Sequence, residues 1–216
     1  MEISYLGHSS FRIKTRNSYI VTDPFNSEAV GFKFPKTEAN IVTISHDHKD
    51  HNFAAGISNP SRIIQGPGEY EVLGISILGY SSFHDASKGK ERGKNTIYVI
   101  ESEGLRVCHL GDLGYELTKE EIEEIGDIDI LMVPVGGFYT IDSKDANSLV
   151  KAFQPYFTLP MHYFEKGMNE QVFSKIKTLD DFLKDSDLSV ERVAKLIIKS
   201  DELTDEQKIV VLERRS

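Results

Sequence analysis

The sequence predicts a layered fold in which β-sheets are covered by helices. Three observations predict it. Short β-type runs crowd the first two-thirds of the chain, helical patterns come later, and several runs are continuously apolar, as strands buried on both faces are. The chain shows no internal repeat, low-complexity tract or linker, so residues 1–216 read as one domain.

The elements follow in order. "EISYLG" (2–7), "SFRIKT" (10–15) and "YIVTDP" (19–24) are short strands with turn residues between them. "ANIVTIS" (39–45) is an apolar strand, and "GISILGY" (74–80) is the next. "NTIYVIES" (95–102) and "LRVCHLGD" (105–112) are joined by "SEG", a hairpin signal. "IDILMVPVGG" (128–137) and "YFTLPMHY" (156–163) are further buried strands. "TKEEIEEI" (118–125) opens a helix with a capping box, Thr118 and Glu121. "DSKDANSLVKAF" (142–153) starts at an Asp142 cap and sets Ala146, Leu149, Val150 and Phe153 on one face. "NEQVFSKIKTLDDFL" (169–183) reads as a third helix. In the tail, "VAKLIIK" and "KIVVLE" are two strands, or a helix and a strand.

Composition bounds the function. A net charge of −9 argues against non-specific nucleic-acid or anionic-membrane binding. The single cysteine, Cys108, allows no intrachain disulfide and no cysteine-based zinc site, and it reads as a small buried hydrophobe. No signal-peptide pattern opens the chain and no apolar run approaches ~20 residues. A cytoplasmic enzyme or binding domain is the expectation, with an oligomer allowed.

The chemistry concentrates in "SHDHKDH" (45–51), which holds three of the chain's 7 histidines. In an extended segment His46, His48 and Asp50 point the same way. His51 breaks that parity, so the chain must turn there, into a short helix near Asn52. Imidazole and carboxylate together are ligands of Zn²⁺, Mn²⁺ and Fe²⁺. Further candidates stand at the ends of apolar runs: Asp23, His84, Asp112 and His162.

The pattern H-x-H-x-D-H at 46–51, with His84, Asp112 and His162 in order and the aspartate of "TDP", resembles the metallo-β-lactamase superfamily. "LGHSSFRI" (6–13), "HDASKGKERGKNTIYVIE" (84–101), "HLGDLGY" (109–115) and "PVGGFYTID" (134–142) resemble its compact metal-dependent hydrolases, a branch related to L-ascorbate-6-phosphate lactonase. The resemblance implies the α+β class and a four-layer αββα sandwich. It implies two divalent ions, zinc first, with manganese or iron as alternatives. His46, His48 and His84 would hold one, and Asp50, His51 and His162 the other. Asp112 would bridge them, with a water or hydroxide between the metals, and Asp23 would orient a ligand histidine.

Asp50 and His8 are the expected catalytic residues. His8 either reaches the rim and contacts substrate or is a hydrogen-bonded loop histidine. His109 faces away by alternation and reads as structural. Gly136 and Gly137 let the backbone approach substrate or metal, and Tyr139 offers a hydrogen bond. Lys88, Lys90, Arg92 and Lys94 read better as a solvated loop than as an anion-attracting mouth. The expected activity is hydrolysis of a small anionic ester, lactone or phosphodiester. The alternative is a metal-stabilised binding or sensor domain without a working pocket.

Overall fold

Alternation along the central strands sets the layers. The computed structural model describes residues 1–215. Its strands are β1 (Glu2–Gly7), β2 (Ser10–Lys14), β3 (Tyr19–Thr22), β4 (Thr37–Glu38), β5 (Ile41–Ile44), β6 (Ile57–Ser58), β7 (Arg62–Gln65) and β8 (Gly68–Val72). They continue as β9 (Ile75–Phe83), β10 (Lys94–Ser102), β11 (Leu105–His109), β12 (Ile130–Pro134), β13 (Phe157–Met161), β14 (Ser189–Val193), β15 (Leu196–Ile197) and β16 (Lys208–Leu212). The helices are α1 (Ser27–Val30), α2 (Lys119–Ile125), α3 (Ser143–Phe153), α4 (Glu170–Phe173) and α5 (Leu179–Lys184).

Two sheets form. One has six strands in the order β15-β1-β2-β3-β5-β7, and the other has eight in the order β14-β16-β13-β12-β11-β10-β9-β8. Between them lies a core built from alternate residues of both, including Ile3, Ile13, Ile20 and Ile41 against Ile77, Tyr98, Ile100 and Met132. The intervening residues face outward. Ile97, Val99, Leu131 and Val133 pack under α2, α3 and α5 through Ile125, Leu149, Phe153 and Phe182. On the far side Val21 and Val42 pack with Val30 of α1 and Phe173 of α4. The result is the expected four-layer sandwich. Strands buried on two faces are continuously apolar for this reason.

The capping box at Thr118 and the Asp142 cap both form, the latter accepting from the amides of Lys144 and Asp145. The hairpin through 103–104 also forms, and the tail resolves into strands. The expected helix over 169–183 does not form. It breaks into α4 and α5 because the Lys177 amide donates to the Gly136 carbonyl at 2.7 Å and Phe164 pairs back on Lys177. A new cap at Thr178 then restarts the helix. Strands β7 and β8 were not expected; their mostly exposed residues lack an apolar run. Among the described residues, no helix is long and apolar enough to cross a membrane.

Candidate metal centre

Five strands deliver the cluster from their C-terminal ends. Asp23 follows β3, Ser45 and His46 follow β5, His84 follows β9, Asp112 lies just beyond β11, and His162 follows β13. The chain between 45 and 51 leaves the strand, so His46, His48 and Asp50 do not share one face as an extended segment would require. Instead three overlapping groups arise, one of them Asp23 with His46 and His51. His46, His48 and His84 bring ligand atoms within 4.8 Å of one another, and so do His8, Asp50, His51 and His162. The other two groups keep Asp50 apart from His46 and His48 and bring His8 beside Asp50.

Asp112 stands between the groups. Its Oδ2 lies 3.8 Å from His46 Nε2, 3.2 Å from His51 Nε2, 3.3 Å from His84 Nε2 and 3.1 Å from His162 Nε2. Burial would raise the Asp112 pKa, but the imidazoles, His162 and His51 foremost, hold it well below the usual carboxylate range. Asn95 fixes the loop by accepting the Asp112 amide at 3.0 Å. Gly111, at φ +57, is required there, since a Cβ would collide with the Asn95 side chain.

Asp23 orients two of the imidazoles. Its Oδ2 accepts from His51 Nδ1 at 2.9 Å. The same oxygen accepts from Ser45 Oγ, which lies 2.9 Å from His46 Nδ1. A hydroxyl that gives its proton to Asp23 can only accept from His46. In their neutral forms both rings therefore carry Nδ1–H and turn a lone pair outward at Nε2. Those Nε2 atoms are buried without a hydrogen-bond partner, as is Asp112 Oδ1. Lone pairs facing a carboxylate at these distances repel unless a cation sits among them. The donor set thus fits divalent metal, and its mixture of imidazole and carboxylate suits zinc, manganese or iron.

Without an ion the two rings differ in protonation. Burial, then the charge of His51, lowers the His46 pKa to about 3, so His46 stays neutral. Burial also opposes charge on His51, yet Asp112 and Asp50 outweigh it and raise its pKa well above the usual value. A proton on His51 would sit at Nε2, the atom a metal ion would otherwise take. Burial works against ionised Asp50 too, but His51 and a hydrogen bond from His8 keep its pKa depressed.

His8 does not reach the rim. It is fully buried, and its Nε2 lies 3.2 Å behind Asp50 Oδ2. Of the two roles expected for it, the hydrogen-bonded one describes its position. His8, Asp23 and His162 all adopt left-handed backbone, at φ 57, 39 and 52. Such residues store strain that surrounding contacts must hold; here the His162 amide donates to the His8 carbonyl at 2.9 Å. His109 is buried and faces away, its Nε2 2.8 Å from the Ser9 carbonyl. Cys108 is fully buried.

A cavity of about 230 Å³ opens on the cluster, lined by His48, Asp50, His84, Arg92, Asp112, Tyr139, His162, Val172 and Phe173. The Tyr139 hydroxyl is not free, since it donates to the Val172 carbonyl at 2.9 Å and latches α4 over the site. Gly136 approaches the His162 carbonyl rather than a ligand, and a Cβ there would collide with it. The basic run divides. Lys88 and Lys90 are exposed, as a solvated loop requires, whereas Arg92 lines the cavity, contrary to expectation. Ser45, Asn95 and the α4 lip were not foreseen. Asn95 alone left a trace, as a polar residue beginning the apolar run "TIYVI".

Comparison with known proteins places this arrangement. A family model for the beta-lactamase superfamily domain matches residues 2–162. A metal-dependent hydrolase of the UPF0173 group from Thermococcus onnurineus is 30% identical over 191 residues, covering 76% of this chain and 84% of that protein. A Thermotoga maritima structure, of an inferred Zn-dependent hydrolase of the metallo-beta-lactamase superfamily, is 39% identical with a TM-score of 0.80 and covers 99% of both chains. Igni18, a metallo hydrolase from Ignicoccus hospitalis, shares the fold at 22% identity, with a TM-score of 0.68 over 98% of this chain and 94% of its own. The chain belongs to the metallo-β-lactamase superfamily, within its UPF0173 family.

Proposed function

We propose that this protein is a dinuclear metal-dependent hydrolase of a small anionic ester, lactone or phosphodiester. One observation carries the reading: four imidazole Nε2 atoms converge within 3.8 Å on one oxygen of Asp112. His46, His48 and His84 would hold one ion, and Asp50, His51 and His162 the other, with Asp112 shared. When bound, two divalent ions supply an acidified water and positive charge for a developing oxyanion.

The side chains do the rest. Asp23 keeps the His51 ring, and through Ser45 the His46 ring, from rotating. Asp50, ionised and 22% exposed, faces the cavity, where it would help hold the second ion and accept a hydrogen bond that orients the attacking water. His8 acts from behind by donating to Asp50. The Phe173 ring narrows the cavity and excludes bulk water. Four positive charges less two ligating carboxylates leave about +2 at the centre, which favours substrates whose negative charge grows on oxygen. The open cavity supports catalysis over the alternative of a binding domain without a working pocket. The lactone option rests on the resemblance to the L-ascorbate-6-phosphate lactonase branch.

The test joins metal analysis to a substrate panel. Protein loaded with Zn²⁺ or Mn²⁺ should hold two ions per chain and hydrolyse bis-aryl phosphates or sugar lactones ahead of thioesters and a chromogenic cephalosporin. At most one ion after careful loading would overturn the dinuclear reading. Equal turnover after chelation would overturn metal dependence.

A further inference from the structure

Arg92 is placed by an unusually well-held loop. The buried Asp85 carboxylate accepts four backbone amides, those of Ser87, Gly89, Glu91 and Arg92, at 2.8 to 3.1 Å. A loop pinned at both its turns presents its side chains in one register. The Arg92 side chain is 32% exposed, and the nearest carboxylate among the described residues is Glu91, at 3.9 Å. That pair lies between neighbours on a surface and contributes little. The guanidinium carbon stands 5.8 Å from the Tyr139 ring centroid, across the mouth of the cavity.

Two cavities meet at this residue. Arg92 and His48 line both the 230 Å³ cavity over Asp112 and a neighbouring one of about 350 Å³ bounded by Gln65, Ser81 and Lys94. A planar fork of N–H donors with no carboxylate bonded to it, beside side chains able to hold metal, suits a carboxylate or phosphate gripped by two parallel hydrogen bonds. The chain's charge of −9 makes a cation at this spot a local requirement rather than a reflection of composition. The 350 Å³ space gives the remaining substrate somewhere to lie.

We propose that Arg92 determines specificity by anchoring a second oxyanion of the substrate, a carboxylate or phosphate separate from the bond that is cleaved. This rests on the hydrolase reading above and narrows it. The substrate class becomes small molecules with an anionic group a few bonds from the scissile ester, lactone or phosphodiester.

The test uses metal-loaded, full-length protein and three hydroxamates measured by calorimetry. Acetohydroxamate binds metal and carries no distal anion. Succinic monohydroxamate adds a carboxylate, and phosphonoacetohydroxamate adds a phosphonate. The wild-type protein should bind one or both anionic probes at least about tenfold more tightly than acetohydroxamate, and the gain should shrink with added salt. The probe with the larger gain tells whether Arg92 reads carboxylate or phosphate. Arg92→Gln should erase the gain while acetohydroxamate affinity moves less than about twofold, and Arg92→Lys should keep part of it. No gain in the wild type, or a gain that persists in Arg92→Gln, overturns the anchor. Failure of acetohydroxamate to bind at all overturns the metal reading beneath it.

Discussion

The two halves of the cluster are built differently. The inner half holds His8, Asp50, His51 and His162, and its three histidines are all at most 1% exposed. Asp23 holds His51, and His8 holds Asp50, so each of these ligands has a partner behind it. The outer half holds His46, His48 and His84, and only His46 has such a partner, through Ser45. His48 is exposed, and His84 Nδ1, like His162 Nδ1 of the inner half, has no partner. A braced ligand costs less ordering entropy when it binds. The inner ion should therefore be the tighter one, and the outer ion the first to leave under a chelator.

The largest effect should come from the residue both halves share. Asp112→Asn keeps the size of the side chain but removes the charge that both proposed ions would share. Metal content should fall below one ion per chain, and hydrolysis by at least about 10³-fold. His48→Ala is the contrast, since it should cost only the outer ion. Retention of two ions by Asp112→Asn, measured by elemental analysis, would remove Asp112 from the bridging position.

Metal-free protein sharpens the comparison through pH. Burial first, then neighbouring imidazoles, holds His8 at about 4 and His46 at about 3, while an unfolded histidine titrates near 6.5. As pH falls from 6.5 toward 4, the unfolded chain takes up protons the folded chain refuses, so stability drops. His8 alone accounts for about 3 kcal/mol by pH 4. His51 works in the other direction. Its raised pKa gives stability that is complete below 6.5 and fades as pH rises. Chelated protein should be most stable near pH 6.5, by urea midpoint. Metal loading should remove the alkaline decline, because ions replace the His51 proton. A monotonic rise in chelated stability through pH 8 would show that His51 carries no proton.

Much of this was legible in the sequence, and the limit has a physical form. H-x-H-x-D-H is local, and Asp23, Asp112 and His162 each follow an apolar strand, so sequence position alone suggested convergence. The layered fold followed from the same strands, and the four-layer sandwich from the resemblance. Features made by distant contacts were not legible. Periodicity across 169–183 cannot reveal that the Gly136 carbonyl captures the Lys177 amide and breaks the helix. The role of Ser45 depends on Asp23, 22 residues away. Arg92 looked like one charge in a solvated run because the four amides held by Asp85 leave no mark on composition. The sequence leaves His8 open between the rim and a hydrogen-bonded loop for a related reason: no residue near it in sequence shows that Asp50 stands in front of it.

The smallest effect separates the halves most cleanly. Asp23 serves both, directly through His51 and indirectly through Ser45, whereas Ser45 serves His46 alone among the clustered histidines. Asp23→Asn should weaken metal binding by about 10- to 100-fold, the inner ion more than the outer. Ser45→Ala removes one hydroxyl between Asp23 and His46 Nδ1. It leaves His51 with its carboxylate partner intact. A single lost hydrogen bond of about 1 kcal/mol corresponds to about fivefold in affinity. Competition with a chromogenic chelator, resolved into two steps, should show the outer step weakened by about that factor and the inner step unmoved. Equal weakening of both steps would mean that the two halves bind as one unit, and the distinction between a braced and an open half would fall.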